Sequence, residues 1–216
     1  MYHWLMDKLF PPKCILCRRV LQAAETDLCH ACRVDAPECP QGKLKLQFLD
    51  SWTAVWYYEG NPRSSLLRYK FHNARSYAVP YGRLLAMKLM KEYPEGFDLL
   101  TWVPVSRLRK FRRGYDQVEL LAGAVGEELE MKPVSLLAKT RHNRKQSGIV
   151  GYSRRRANVL GVYKCVDQAA VEGKRILLLD DILTTGATAG ECARILLTAG
   201  ASEVHCAVIA AARKNK

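Results

Sequence analysis

The sequence predicts an α/β architecture, a parallel sheet with helices on both faces behind a small cysteine-rich module, and three observations predict it. From residue 46 onward, apolar β-type runs alternate with helical periodicities, the pattern of strands joined by crossover helices. The run Ile176–Leu179 is continuously apolar, as expected of a strand buried on both faces, and it ends on two acids. Before residue 46 the composition changes to short polar segments that hold five of the eight cysteines. The division is therefore expected at residues 1–45 and 46–216.

Taken in order, "WTAVWYYEG" reads as a strand closed by a turn signal, and "PRSSLLRYKF" and "GRLLAMKLMKEY" read as helices. "FDLLTWVPV" is a buried strand running into a proline. "GYDQVELLAGAVGEELE" sets Val118, Leu121, Ala122, Val125 and Leu129 on one helical face. "PVSLLAKT" is expected to be a strand, "YSRRRANV" a short basic helix, "KRILLLDD" the central strand, "TAGECARILLTAG" a helix and "SEVHCAVIA" the last strand. A chain of 216 residues, 49% hydrophobic, can bury one substantial core. No stretch approaches the ~20 apolar residues of a membrane span, and the start lacks the charge-then-apolar order of a signal peptide. A cytoplasmic protein without membrane insertion is expected.

Cys14 and Cys17 form one CxxC pair and Cys29 and Cys32 a second, 11 residues later. Two such knuckles complete the four-thiolate tetrahedral cage that zinc prefers, so structural Zn2+ is expected there. Cys39 is read as a spare thiol or a substitute ligand, His30 as solvent-facing or a competing ligand, and Cys165, Cys192 and Cys206 as small apolar residues.

Asp180 and Asp181 are expected at the carboxyl end of the central strand, where open parallel sheets bind ligands. Two adjacent carboxylates can accept from the vicinal hydroxyls of a ribose. Thr184, Thr185, Gly186, Ala187 and Thr188 follow with hydroxyls and backbone N–H groups ahead of a helix, a site for one phosphate. The alternative is an acidic turn with Thr188 as an ordinary helix N-cap. A P-loop is excluded because there is no GxxxxGK[ST], and no GxG occurs.

"LLLDDILTTGAT" resembles the 5-phosphoribosyl-1-pyrophosphate (PRPP) motif of type I phosphoribosyltransferases. With the paired CxxC, "VPVSRLRKFRRGYDQ" and "RHNRKQSGIVGYSRRRANVLGVY", the chain resembles the ComF (competence protein F) family. That resemblance implies a type I phosphoribosyltransferase-like sheet behind a zinc ribbon. Asp180 and Asp181 would meet the ribose hydroxyls, Thr184 to Thr188 the 5-phosphate, and Val105, Ser106 and Arg107 the pyrophosphate, with Mg2+ accompanying PRPP. It also implies a role in natural competence, with single-stranded DNA and competence-machinery proteins as partners. Two departures stand out: Asp116 where Asn is expected after "RGY", and no glycine after the second cysteine of the first knuckle.

The charge distribution extends this reading. The chain carries +13 overall, and positions 101 to 160 hold 13 basic against 5 acidic residues. Arg107, Arg109, Lys110, Arg112 and Arg113 form one group, and Lys139, Arg141, Arg144, Lys145, Arg154, Arg155 and Arg156 a second. This is more positive charge than one PRPP needs. With Phe111, Tyr115 and Tyr152 interleaved, it suits a single strand held by backbone charge and base stacking, unless those aromatics belong to the core. The second group falls where the resemblance places a mobile loop. No general base or acceptor site is identifiable, which keeps three functions open: a PRPP-binding competence protein, an active transferase joining ribose-5-phosphate to a nitrogen nucleophile, or a DNA-binding adaptor with a vestigial pocket.

Overall fold

The apolar run at 176–179 forms the centre of strand β5 (Arg175–Leu183), and the fold is built outward from it. The computed structural model describes residues 11–40, 45–106, 108, 110, 111, 114–140 and 160–213. The strands of the main sheet are β1 (Ser51–Tyr57), β2 (Leu99–Trp102), β5 and β6 (Glu203–Ala211), in the order β1-β6-β5-β2 and all parallel. Ile176, Leu177, Leu178 and Leu179 are each 0% exposed, which is why this strand contains no polar alternation until Asp180.

Two apolar layers sandwich the sheet. On one face, Leu177 and Leu179 meet Leu66 and Tyr69 of α2 (Gly60–Phe71), Tyr81, Leu85 and Leu89 of α3 (Ala78–Glu92), and Val118, Leu121 and Val125 of α4 (Gln117–Glu128). The expected face of α4 is thus the packed one. The α3 and α4 helices approach closely: a Cβ on Gly82 would lie 2.5 Å from Ala124 Cβ. On the other face, Ile176 and Leu178 meet Cys192, Ala193 and Leu196 of α6 (Ala187–Thr198).

The same second layer holds a hairpin-like pair outside the main sheet. The "PVSLLAKT" segment contributes only β3 (Leu137–Lys139), which pairs antiparallel with β4 (Tyr163–Cys165). A short helix α5 (Gln168–Val171) follows, capped by Asp167. The expected basic helix at "YSRRRANV" lies outside the described residues. Among the described residues, no helix is long and apolar enough to cross a membrane.

The cysteine-rich segment joins the first layer. Ile15, Leu16 and Leu28 lie in the apolar cluster of α2 and α3. Arg68 of α2 donates to the carbonyls of Ile15 (3.0 Å) and Leu16 (2.6 Å), Ser65 donates to Ile15 O at 2.5 Å, and Arg83 pairs with Asp27 at 2.8 Å.

Candidate functional site

The first CxxC forms a tight knuckle closed by an antiparallel bridge between Lys13 and Val20, with Arg18 N donating to Cys14 O and Cys14 N to Arg19 O, both at 2.8 Å. Arg18 stands where a glycine was expected, and its φ is +70°. The turn thus keeps the left-handed geometry without the residue that favours it. The second pair opens α1 (His30–Asp35), with Cys29 at the N-cap. Glu25 accepts from Gln22 N (2.8 Å) and His30 N (2.6 Å), bonds that hold its carboxyl below the usual range and fix the approach to this helix.

All four sulfurs lie within 4.8 Å of one another, and Cys17 Sγ is 3.6 Å from Cys29 Sγ. Four thiolates about 2.3 Å from one ion sit about 3.8 Å apart. This cluster therefore fits a metal ion. Burial raises the Cys14 thiol, but the backbone N–H groups of Cys17, Cys29 and Leu16 outweigh it and leave it lowered to about 7, while burial pushes Cys32 up. Asn61 Nδ2 reaches Cys32 Sγ at 3.7 Å. His30 is exposed, and Cys39 is buried in the opposite apolar layer beside Leu49 and Trp52, so neither joins the cluster. Cys192 and Cys206 are core residues as expected, and Cys165 is half-buried.

At the sheet's carboxyl edge the acids arrive earlier than expected. β5 continues through Ile182 and Leu183, which pair with Ala210 and Ala211, so Asp180 and Asp181 are strand residues rather than its end. The two are not equivalent. Asp181 is 4% exposed and faces α2 and α4, accepting from Lys70 Nζ at 2.8 Å and from Gln117 Nε2 at 3.1 Å. Asp180 is half-buried and lies towards Cys192 and Cys206, whose thiols its charge helps to raise after the larger effect of burial. Burial, reinforced by the Asp181 charge, pushes the Asp180 carboxyl well above the usual carboxylate range. Its Oδ1 accepts the next backbone N–H, that of Asp181, at 2.8 Å.

After the strand, Thr184 is exposed, Thr185 and Gly186 are half-buried, and α6 begins at Ala187. Gly186 is the N-cap, with φ +77°, so Thr188 is the second helical residue and not the cap. A glycine N-cap has no side chain to cover the helix terminus, which leaves the positive end of α6 facing the loop. Thr185 Oγ1 accepts from Ala187 N at 3.4 Å. Above the loop, Leu46 lies 3.0 Å from where a Gly186 Cβ would stand, and Gln47 O lies 2.9 Å from that of Gly190. Glu191, 5% exposed, accepts from Gly161 N (3.0 Å) and Arg194, and so ties the entry to β4 onto α6.

At the end of β2, Ser106 is buried and Val105 N donates to Asp116 Oδ2 at 3.1 Å. The other oxygen of Asp116 caps α4, accepting from Val118 N (2.9 Å) and Glu119 N (3.2 Å). The Asp found in place of Asn therefore has a structural use: an amide could accept on one side only. Lys110 is exposed and pairs with Glu119 at 2.6 Å. Phe111 is 87% exposed, whereas Tyr115 is core, its hydroxyl donating to Tyr69 O at 2.8 Å. Arg107, Arg109, Arg112, Arg113, Arg141, Arg144, Lys145, Tyr152, Arg154, Arg155 and Arg156 lie outside the described residues.

Residues 119–216, from α4 through the loop to the end of the chain, match the family described as phosphoribosyl transferase domain. Competence protein F of Haemophilus influenzae is 26% identical over 93% of this chain and 97% of its own. The similarity to competence protein F runs along nearly the whole of both chains. DNA utilization protein YhgH of Escherichia coli O157:H7 is 29% identical over 90% of this chain and 95% of its own, and competence protein ComFC of Bacillus subtilis 25% over 87% and 78%. The sequence singles out the cysteines and the acid-threonine loop but gives no signal for Lys70, Gln117 and Glu191, whose contacts with these segments arise only from packing. The capping role of Asp116 was visible, since Asp116 and Glu119 stand in capping-box spacing.

Proposed function

We propose that this protein binds PRPP in a phosphoribosyltransferase-like pocket and acts in natural competence, in the uptake or processing of incoming single-stranded DNA in the cytoplasm. The observation that carries this reading is that β5, which holds both acids in its carboxyl-terminal half, leads within three residues into the positive N-terminus of α6 with glycine at its N-cap, Gly186. Thr184, Thr185, Gly186, Ala187 and Thr188 would hold the 5-phosphate, and Asp180 and Asp181 the sugar end. Val105 and Ser106, with Arg107, would take the pyrophosphate. Mg2+ would travel with that pyrophosphate. Zn2+ is the ion proposed for Cys14, Cys17, Cys29 and Cys32, because a closed four-thiolate set suits a redox-inert tetrahedral ion. Residues 1–45 then form a zinc ribbon and residues 46–216 the sugar-phosphate domain. The names of the relatives support the competence role. The excess of basic residues between positions 101 and 160 supports a nucleic-acid partner.

Calorimetric titration of the zinc-loaded protein with PRPP is the deciding experiment. Saturable binding that is lost in Asp180→Asn supports the pocket; heat-silent titration of the native protein overturns it. For DNA, single-strand affinity should fall with salt, with a log-log slope of roughly −3 if about four phosphates are neutralised. A slope near zero removes the basic segments from the interface.

A further inference from the structure

Each oxygen of the Asp181 carboxyl has a partner before any ligand arrives. Its Oδ1 receives Lys70 Nζ at 2.8 Å and its Oδ2 receives Gln117 Nε2 at 3.1 Å, and its side chain is 6% exposed. Both partners are held by the fold. Gln117 is 3% exposed, in the first turn of α4, and its backbone carbonyl accepts the hydroxyl of Tyr69, the residue before Lys70 on α2. The Lys70 side chain is 20% exposed, so its ammonium acts through partly desolvated surroundings.

Two neighbouring carboxylates in a sheet repel one another, and a cation between them and α2 lowers that cost. Divalent ions are the usual remedy where a phosphorylated sugar must approach acidic groups. Here the chain supplies an ammonium instead, on a long side chain whose stem spans from α2 to the strand.

We infer that Lys70 is the positioning residue of the acidic pair: its ammonium takes the place a divalent cation would hold at Asp181 and leaves Asp180 as the carboxyl group that meets a sugar diol. The diol rests on the PRPP reading, whereas the cation's place does not. Gln117 fixes the second oxygen of Asp181, so the carboxylate cannot rotate away from Lys70. The consequence is that the ribose end of the pocket needs no metal of its own, and any Mg2+ belongs to the pyrophosphate.

The test uses Mn2+ alone, followed by paramagnetic resonance on the full-length, zinc-loaded protein. The native chain should show no saturable Mn2+ site that depends on Asp181. Lys70→Gln should gain one, at least about tenfold tighter than any native binding, and Lys70→Gln with Asp181→Asn should lose it. Lys70→Arg, which keeps the charge, should behave as the native chain does. A native Mn2+ site abolished by Asp181→Asn, or no gain in Lys70→Gln, overturns the inference. A second arm uses ribose 5-phosphate, which carries no pyrophosphate to bind Mg2+. Its affinity should be the same with and without Mg2+ in the native chain, and should become Mg2+-dependent in Lys70→Gln. Failure of the native chain to bind either this sugar or PRPP overturns the pocket, while the Mn2+ result still decides the role of Lys70.

Discussion

The cysteine cluster and the acid-threonine loop are both short motifs, but they differ in where their partners come from. The four sulfurs converge from residues 14 to 32, and the local backbone bonds of two knuckles set their spacing. The acidic pair in β5 instead depends on Lys70 from α2 and Gln117 from α4, which are 111 and 64 positions away from Asp181 in the chain. A motif that contains its own ligands can be read from spacing alone. One that borrows them needs the packing of whole helices before its chemistry is defined.

The strongest way to break this comparison is to remove the metal. If the cluster were self-contained, chelation would melt residues 11–40 and spare the rest. Because Ile15, Leu16 and Leu28 share a core with α2 and α3, loss of a binding energy of ~10 kcal/mol should lower the stability of the whole first layer. Calorimetric scans with and without chelator should show one shifted transition; two separated transitions would restore the independent ribbon.

A smaller effect is expected at the α3–α4 contact that positions Gln117. Gly82→Ala places a methyl 2.5 Å from Ala124 Cβ and should cost about 1–3 kcal/mol in denaturant unfolding. It should also weaken PRPP binding while leaving metal content unchanged.

At Asp180 the expected sign reverses the usual one. Its carboxyl is raised in the fold, mainly by burial, so its ionisation opposes folding. The stability it contributes is complete below its unfolded value, near 4, and is lost as pH rises through the higher folded value. Asp180→Asn should therefore stabilise the ligand-free chain at neutral and alkaline pH and leave it unchanged near pH 4, even as it abolishes binding. Unfolding midpoints across that range check this; equal stabilisation at every pH would rule out the titration as its origin.

The smallest effect belongs to the first knuckle. Arg18 holds φ +70°, so Arg18→Gly should stabilise by about 1 kcal/mol without altering metal content. A loss of stability would mean that the arginine side chain contributes more than its backbone costs.

The same contrast explains what could be read from the residues. The helical period at 118–129 and the unbroken run at 176–179 predicted buried faces because hydrophobic pattern follows directly from burial. The strand was expected to stop at the acids since ionised groups are costly in a sheet, yet Ile182 and Leu183 carry it on because Lys70 and Gln117 satisfy Asp181. Lys70 itself stands in "LLRYKFHNAR", where a lysine on a basic helix reads as solvated. β4 is three residues long and takes its register from β3, so a local pattern had little to announce. The aromatic residues of the basic segment divided: Tyr115 entered the core and Phe111 stayed outside.

Leu46 against Gly186 and Gln47 against Gly190 also matter for anyone who divides the protein. A fragment cut to begin at β1 would keep every strand and the whole of α6, yet it would uncover Gly186 in the loop and Gly190 on the first turn of α6, on which Leu46 and Gln47 rest. Its ligand affinity would then describe an exposed loop and not the native one. The start of a faithful fragment is set by that contact, upstream of the first strand.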